Sequence, residues 1–293
     1  MIDAGVEVYR SFRRRDCEDR AFMLGAVGIA SAIVLRGERF VLEVAEEDAP
    51  RAVSQLTQYE TENRPPHPSP PPPPLHRNAW VGCVAYTAWL LGVAYVISNG
   101  LVRLDAFHTG ELDAARVQSG QWWRAWTALT LHLSGPHLAA NLGAGIWFGY
   151  LAGRQLGAGV AWLLIVAGGG IANLLEGLLA PPWHQSVGAS TAVFTALGVM
   201  SAYTWRERLR LPQGWVQRWG PLVAGICLLG WLGTAGKETD IMAHLLGFGI
   251  GVLLGATAAL PIVSRRLHDV PQWPAGLTAL AIMAAAWSFA LAS

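Results

Sequence analysis

Ser190 opens an apolar run, Gly188-Ala189-Ser190-Thr191-Ala192-Val193-Phe194. His244 sits in a second such run, Ala243-His244-Leu245-Leu246-Gly247, and a third stretch carries His132, His137 and Asn141. Polar and ionisable side chains in hydrocarbon surroundings are costly unless they are paired or face a wet cavity, so they mark candidate functional positions. A hydroxyl nucleophile, an imidazole base and spare hydrogen-bond donors are the parts of an acyl-transfer site. Just inside a helix start, Ser190 would have unpaired backbone N–H groups and the positive end of the helix dipole beside it, both suited to a developing oxyanion. A Gly-x-Ser triplet alone is a weak signal, because helix-capping and helix-packing serines are common in apolar segments.

His244 strengthens the pattern. Gly247, Gly251 and Gly255 follow it at helical spacing and give that segment a smooth face, which permits close approach to a neighbour. A serine–histidine hydrogen bond of about 3 Å needs such an approach. Phe194 lies one turn beyond Ser190 on the same face, where its ring could stack on the imidazole and fix its orientation. The plainer alternative is a packed histidine satisfied by a carbonyl. His137 and Asn141, spaced i, i+4, share a helix face and can act as a donor pair. His132 is five residues before His137, about 140° away on an ideal helix, so the two rings are expected to point apart. That spacing argues against a metal pair of the His-x-x-x-His type, and no metal or cofactor is expected.

These residues need apolar elements to position them. The chain has 293 residues, 53% hydrophobic and 14% charged, against about 25% charged in a typical soluble protein. Residues 1–64 hold 21 of the 41 Lys, Arg, Asp and Glu side chains. From residue 79 onward, apolar segments are expected at 80–102, 136–153, 157–180, 188–204, 219–235, 241–262 and 274–292. Several are short for a span of about 20 residues, and tilt or local thinning would accommodate them. Arg206, Arg208, Arg210 and Arg218 follow the fourth segment, and Arg265 and Arg266 follow the sixth. The positive-inside rule places both clusters, and Arg13 to Arg15, in the cytosol, with the C-terminus outside. The stretch from Arg103 to Ser134 is rich in tryptophan, including Trp122, Trp123 and Trp126, which suits a bilayer interface.

The expected fold class is therefore an all-α polytopic membrane protein with a small α+β domain ahead of it. Residues 1–64 read as βαββα: a strand at Val6–Phe12, a helix at Asp16–Val27, a hairpin of Ser31–Arg36 and Arg39–Val44, and a helix at Ala49–Glu62. This order resembles small domains found beside bacterial membrane proteins. With no signal peptide apparent, it is expected to stay in the cytosol. Residues 65–78 form a Pro-rich linker, read as a polyproline II spacer. Residues 79–262 form the membrane core, and 263–293 a short basic loop and a seventh helix. Cys17, Cys83 and Cys227 lack metal or redox spacing and read as ordinary thiols. No basic aromatic patch points to nucleic acid.

In chain order the motifs are Trp123-Arg124, His132-x4-His137-x3-Asn141, Gly188-x-Ser190 and Ala243-His244-x2-Gly247-x3-Gly251. Together, over residues 79–262, they resemble the rhomboid intramembrane serine proteases. The resemblance implies a six-helix core, a Ser190 nucleophile with His244 as general base, and an oxyanion hole of His137, Asn141 and the Ser190 N–H. It also implies support from His132, Trp123, Arg124, Phe194, Gly188, Gly247 and Gly251. Helix five and the loop Gly236–Asp240 resemble the family's lateral gate and cap. The implied partners are transmembrane protein substrates within a lipid bilayer, and the implied location is a bacterial inner membrane. Two departures stand out: Thr191 replaces the glycine common after the serine, and Gly153 replaces an acidic residue common four before the glycine that starts helix three. The alternatives are a catalytically inactive relative that binds client helices, and a transporter or metal-binding protein using the buried histidines.

Overall fold

The computed structural model describes residues 5–63, 75–101, 105–211, 213–233 and 240–293. The chain divides into two compact units, residues 1–69 and 70–293. The Pro-rich run from 65 to 74 and residues 236–239 of the expected cap, Gly236–Asp240, lie outside the described residues.

In the first unit the elements are β1 (Val6–Ser11), α1 (Arg14–Ala26), β2 (Ser31–Arg36), β3 (Arg39–Val44) and α2 (Ala49–Glu62). The sheet is antiparallel with order β1-β3-β2. Gly37, at φ +63°, turns the β2–β3 hairpin, as its place between two alternating runs predicts. Both helices pack on one face of the sheet through Leu24, Ile29, Leu42, Val44, Ala52 and Leu56, which exclude nearly all water.

The second unit begins with α3 (Trp80–Ser98). It is followed by α4 (Ala106–Gly110), β4 (Leu112–Asp113), α5 (Ala114–Gln118) and α6 (Arg124–Thr127). Then come α7 (Gly135–Leu156), α8 (Ala158–Leu179), β5 (Gln185–Ser186), α9 (Ser190–Leu209) and α10 (Trp215–Leu232). The last three are α11 (Ile241–Ala258), α12 (Pro261–Asp269) and α13 (Gln272–Ala292). Helices α3, α8, α11 and α13 are each long and apolar enough to cross a membrane, and they fit a multi-pass integral membrane protein. The sequence points to seven such segments. Helices α7, α9 and α10 carry polar residues, such as His137 and Asn141, Arg206 to Arg208, and Gln217 and Arg218, which dilute their apolar character.

α9 is the central helix and packs against α7, α8, α10 and α11. Twelve of its residues are buried, from Thr191 to Tyr203. The expected sixth segment, 241–262, ends instead at Ala258, and a separate helix starts at Pro261. Proline holds the preceding Leu260 extended, at φ −61° and ψ 137°, so the helix cannot run through. Arg265 and Arg266 therefore lie on a short helix rather than in a loop.

α13 is built into the second unit rather than appended to it. Its Gln272 accepts a hydrogen bond from the Val160 N–H (3.1 Å) at the start of α8. Its Trp287 indole donates to Thr130 Oγ1 (3.1 Å), and Phe289 stacks on Trp123. The turn beside Gly153, which lacks the acidic residue, is thus supported from the far end of the chain.

Candidate active site

The segment from α4 to α7 is held by Arg124. Its side chain is buried, and it donates to Gln121 Oε1 (2.6 Å), Glu111 O (2.9 Å) and His108 O (2.9 Å). A guanidinium offers donors in a fixed planar fork, so three acceptors around one buried cation lock the surrounding backbone. Burial pushes the Glu111 carboxyl above its ordinary range, and the Arg124 charge opposes that shift. Trp123 next to it lies against Phe289, with ring centroids 6.0 Å apart.

This segment ends beside the start of α9. The N–H of Gly188 donates to Ala128 O (3.0 Å), and the N–H of Ala189 donates to His132 Nε2 (3.4 Å). Two successive amides before Ser190 are therefore tied to one neighbouring loop. His132 must be neutral at Nε2 to accept, and burial, then the adjacent His137, lowers its pKa to about 4.

Gly188 has φ +137°, which disfavours any residue with a Cβ. An added Cβ would also lie 2.9 Å from His137 Cε1 and Nε2, and 3.7 Å from Asn141 Nδ2. The missing side chain is what lets the His137 ring and the Asn141 amide close on the backbone just before Ser190. Asn141 Nδ2 is buried and has no acceptor among the described residues. Its backbone carbonyl accepts from the Tyr86 hydroxyl (2.9 Å), which fixes α7 against α3.

His132 and His137 do meet, with ring centroids 5.1 Å apart in edge contact. The ideal-helix angle between them does not apply, because α7 begins only at Gly135 and His132 lies in the loop before it.

On the other side of α9 lies α11. A methyl group at Gly247 would sit 2.5 Å from Thr191 O, and one at Gly251 or Gly255 would run into the carbonyl oxygens of Thr195 or Val199. The glycine face is thus pressed onto the α9 backbone, as the spacing predicts. At the top of this seam Phe194 and His244 are in ring contact, with centroids 4.3 Å apart and planes at 39°. His244 Nδ1 lies 3.0 Å from Gly233 O, at the end of α10. A carbonyl can only accept, so Nδ1 carries the proton and Nε2 of the neutral ring keeps its lone pair. Ser190 is half-buried at the first residue of α9. Among the described residues no hydrogen bond joins its Oγ to His244.

Thr191, where the common pattern has glycine, is buried, and its Cγ2 faces the bare Cα of Gly247. The absent side chain on α11 makes room for the methyl on α9.

The Rhomboid domain model matches residues 119–260. Rhomboid-like protease 3 of Toxoplasma gondii is 28% identical over 164 residues, which is 56% of this chain and 60% of that relative. Residues 119–260 belong to the rhomboid family. The match spans less than two thirds of that relative's length. The rhomboid domain contains every motif singled out above, from Trp123 to Gly251.

Sequence reasoning passed over Glu176 and Asn173, both buried on α8. Asn173 donates to Ala125 O (2.9 Å) and anchors α6. An acid and an amide inside an apolar helix are the same kind of signal that drew attention to Ser190 and His244.

Proposed function

We propose that this rhomboid protein is an intramembrane serine endopeptidase with a Ser190–His244 dyad. The observation that carries the reading is the 3.0 Å approach of His244 Nδ1 to Gly233 O. With Nδ1–H committed to Gly233 O, only Nε2 is available as a base, and Phe194 holds the ring on the side of α9 that begins with Ser190.

In this reading His244 Nε2 takes the proton from Ser190 Oγ as that oxygen attacks the scissile carbonyl. The tetrahedral oxyanion is met by Asn141 Nδ2, whose donor is buried and unspent, by His137, and by the Ser190 N–H at the helix start. Collapse expels the amine, which takes the proton from the imidazolium. Water, deprotonated by His244, then releases the acyl group. A third acidic member is not required, because a backbone carbonyl already orients the base. Thr191 is compatible with activity, since its side chain packs toward α11.

The substrates are transmembrane proteins cut within or next to a spanning segment. α3 and α7–α11 supply the six-helix core, α13 the seventh span, and the βαββα unit a cytosolic domain joined through residues 65–78. The clusters at Arg206–Arg218 and Arg265–Arg266 face the cytosol. α10 is the helix through which a substrate segment would enter. Only Gly225 on it is buried, so it is the least embedded of the long helices.

The test is labelling of detergent-solubilised full-length protein with a fluorophosphonate, alongside cleavage of a single-span substrate in vesicles. Wild type should label and cleave, and Ser190→Ala and His244→Ala should do neither. Labelling that survives Ser190→Ala would sink the dyad. A wild type that neither labels nor cuts yet retains the substrate helix would favour the client-binding alternative.

A further inference from the structure

A second group of ionisable side chains converges outside the proposed dyad. Glu176 on α8 is fully buried, and its Oε1 has no hydrogen-bond partner among the described residues. His184 Nε2, from the loop before β5, lies 3.4 Å from that oxygen and 3.1 Å from Asp240 Oδ2. Neither approach is aligned as a hydrogen bond, and His184 Nε2 and Asp240 Oδ2 are likewise buried and make no hydrogen bond among the described residues. Three unspent atoms from three separate elements thus face one another, all within 4.8 Å.

We propose that Glu176, His184 and Asp240 form a binding site for a divalent cation of the zinc class. Two ligands at about 2.1 Å from a tetrahedral ion are about 3.4 Å apart, and the two measured separations fall close to that value. One imidazole with two carboxylates suits zinc better than calcium or magnesium, which favour all-oxygen shells. The two carboxylates together in a buried pocket repel each other, and a dication offsets that charge.

The far oxygens of both carboxylates are already occupied. Ser186 Oγ donates to Glu176 Oε2 (3.5 Å), and the Ala243 N–H donates to Asp240 Oδ1 (3.0 Å). These contacts turn the remaining oxygens inward, as outer partners do around metal ligands. The His184 and Asp240 side chains keep 28% and 21% of their surface, so the cluster lies near solvent although its facing atoms are buried.

The ligands lie on elements that flank the proposed dyad. His184 precedes β5, which leads to Ser190, and β5 pairs with β4. Asp240 caps α11, four residues before His244. A bound ion would fasten α8 and the segment before Ser190 to the start of α11.

The site is tested by isothermal titration of ZnCl2 into chelator-treated, full-length protein in detergent, with thermal unfolding followed in parallel. One equivalent should bind saturably and raise Tm. Affinity should fall at least ~10-fold in Glu176→Gln, His184→Gln and Asp240→Asn. The last keeps a capping side chain, and its elution profile and helical circular dichroism should match wild type. Absence of saturable binding to wild type, or equal binding by wild type and all three variants, would overturn the proposal and leave a cluster of one imidazole and two carboxyl groups without a metal. Fluorophosphonate labelling of Ser190, read on the same samples, keeps failure of this site separate from failure of the dyad.

Discussion

His244 Nδ1 lies 3.0 Å from the carbonyl oxygen of Gly233, so the end of α10 selects the tautomer of an imidazole carried by α11. The choice is made by an acceptor that cannot donate. In protein labelled with 15N-histidine, His244 should show a protonated Nδ1 and a bare Nε2 at neutral pH. The opposite pattern would remove the base from the proposed mechanism.

Phe194 restrains the same ring from the α9 side, at 4.3 Å between centroids. Phe194→Leu keeps most of the apolar volume and loses the flat contact. Cleavage should fall in kcat by ~10- to 100-fold with little change in KM, as expected for a base displaced by a fraction of an ångström. A change confined to KM would assign Phe194 to substrate binding instead.

The α9–α11 seam offers a matched pair of substitutions. A methyl at Gly251 would collide with Thr195 O, whereas at Gly249, on the same helix, it would meet nothing within 4 Å. Gly251→Ala should destabilise by about 1–3 kcal/mol or more, because two backbones must separate. Gly249→Ala should be neutral or stabilising by up to about 1 kcal/mol through helix propensity. Thermal unfolding of both variants in one detergent reads the difference, and equal Tm values would mean that the seam is not close-packed.

His132 accepts from the Ala189 N–H and has a folded pKa of about 4, below its ordinary 6.5. Between those values the unfolded chain binds more protons than the folded one, so stability rises with pH. The contribution is complete above about pH 6.5 and is lost as pH falls toward 4. His132→Gln, which can still accept from Ala189 but does not titrate, should flatten the dependence of Tm on pH across that window. An unchanged slope would assign the acid sensitivity to another group.

Much of this protein was legible in the chain itself. The apolar periodicity located the long helices to within a few residues at most ends, because hydrophobic runs bounded by glycine, proline and charge admit few other structures. The βαββα order of the first unit came from alternation around Gly37. Polar residues in apolar runs made Ser190, His244, His137 and Asn141 the candidate site residues, since such placements are costly. Glu176 carried the same signal and went unread, because its partners His184 and Asp240 are polar residues of loops and unremarkable one at a time.

Only the tertiary structure decided which atoms meet. The carbonyl of Gly233, which fixes the His244 tautomer, has no side chain to announce it. The contact of His132 with His137 depends on where α7 starts, a matter of loop geometry rather than helical spacing. The service of α13 to the turn at Val160 and to Thr130 links residues more than a hundred positions apart. Periodicity records which face of a helix is apolar, but not which neighbour covers it. Partner choice is set by packing of the whole unit, where bare glycine backbones on α11 let α9 come into close backbone contact.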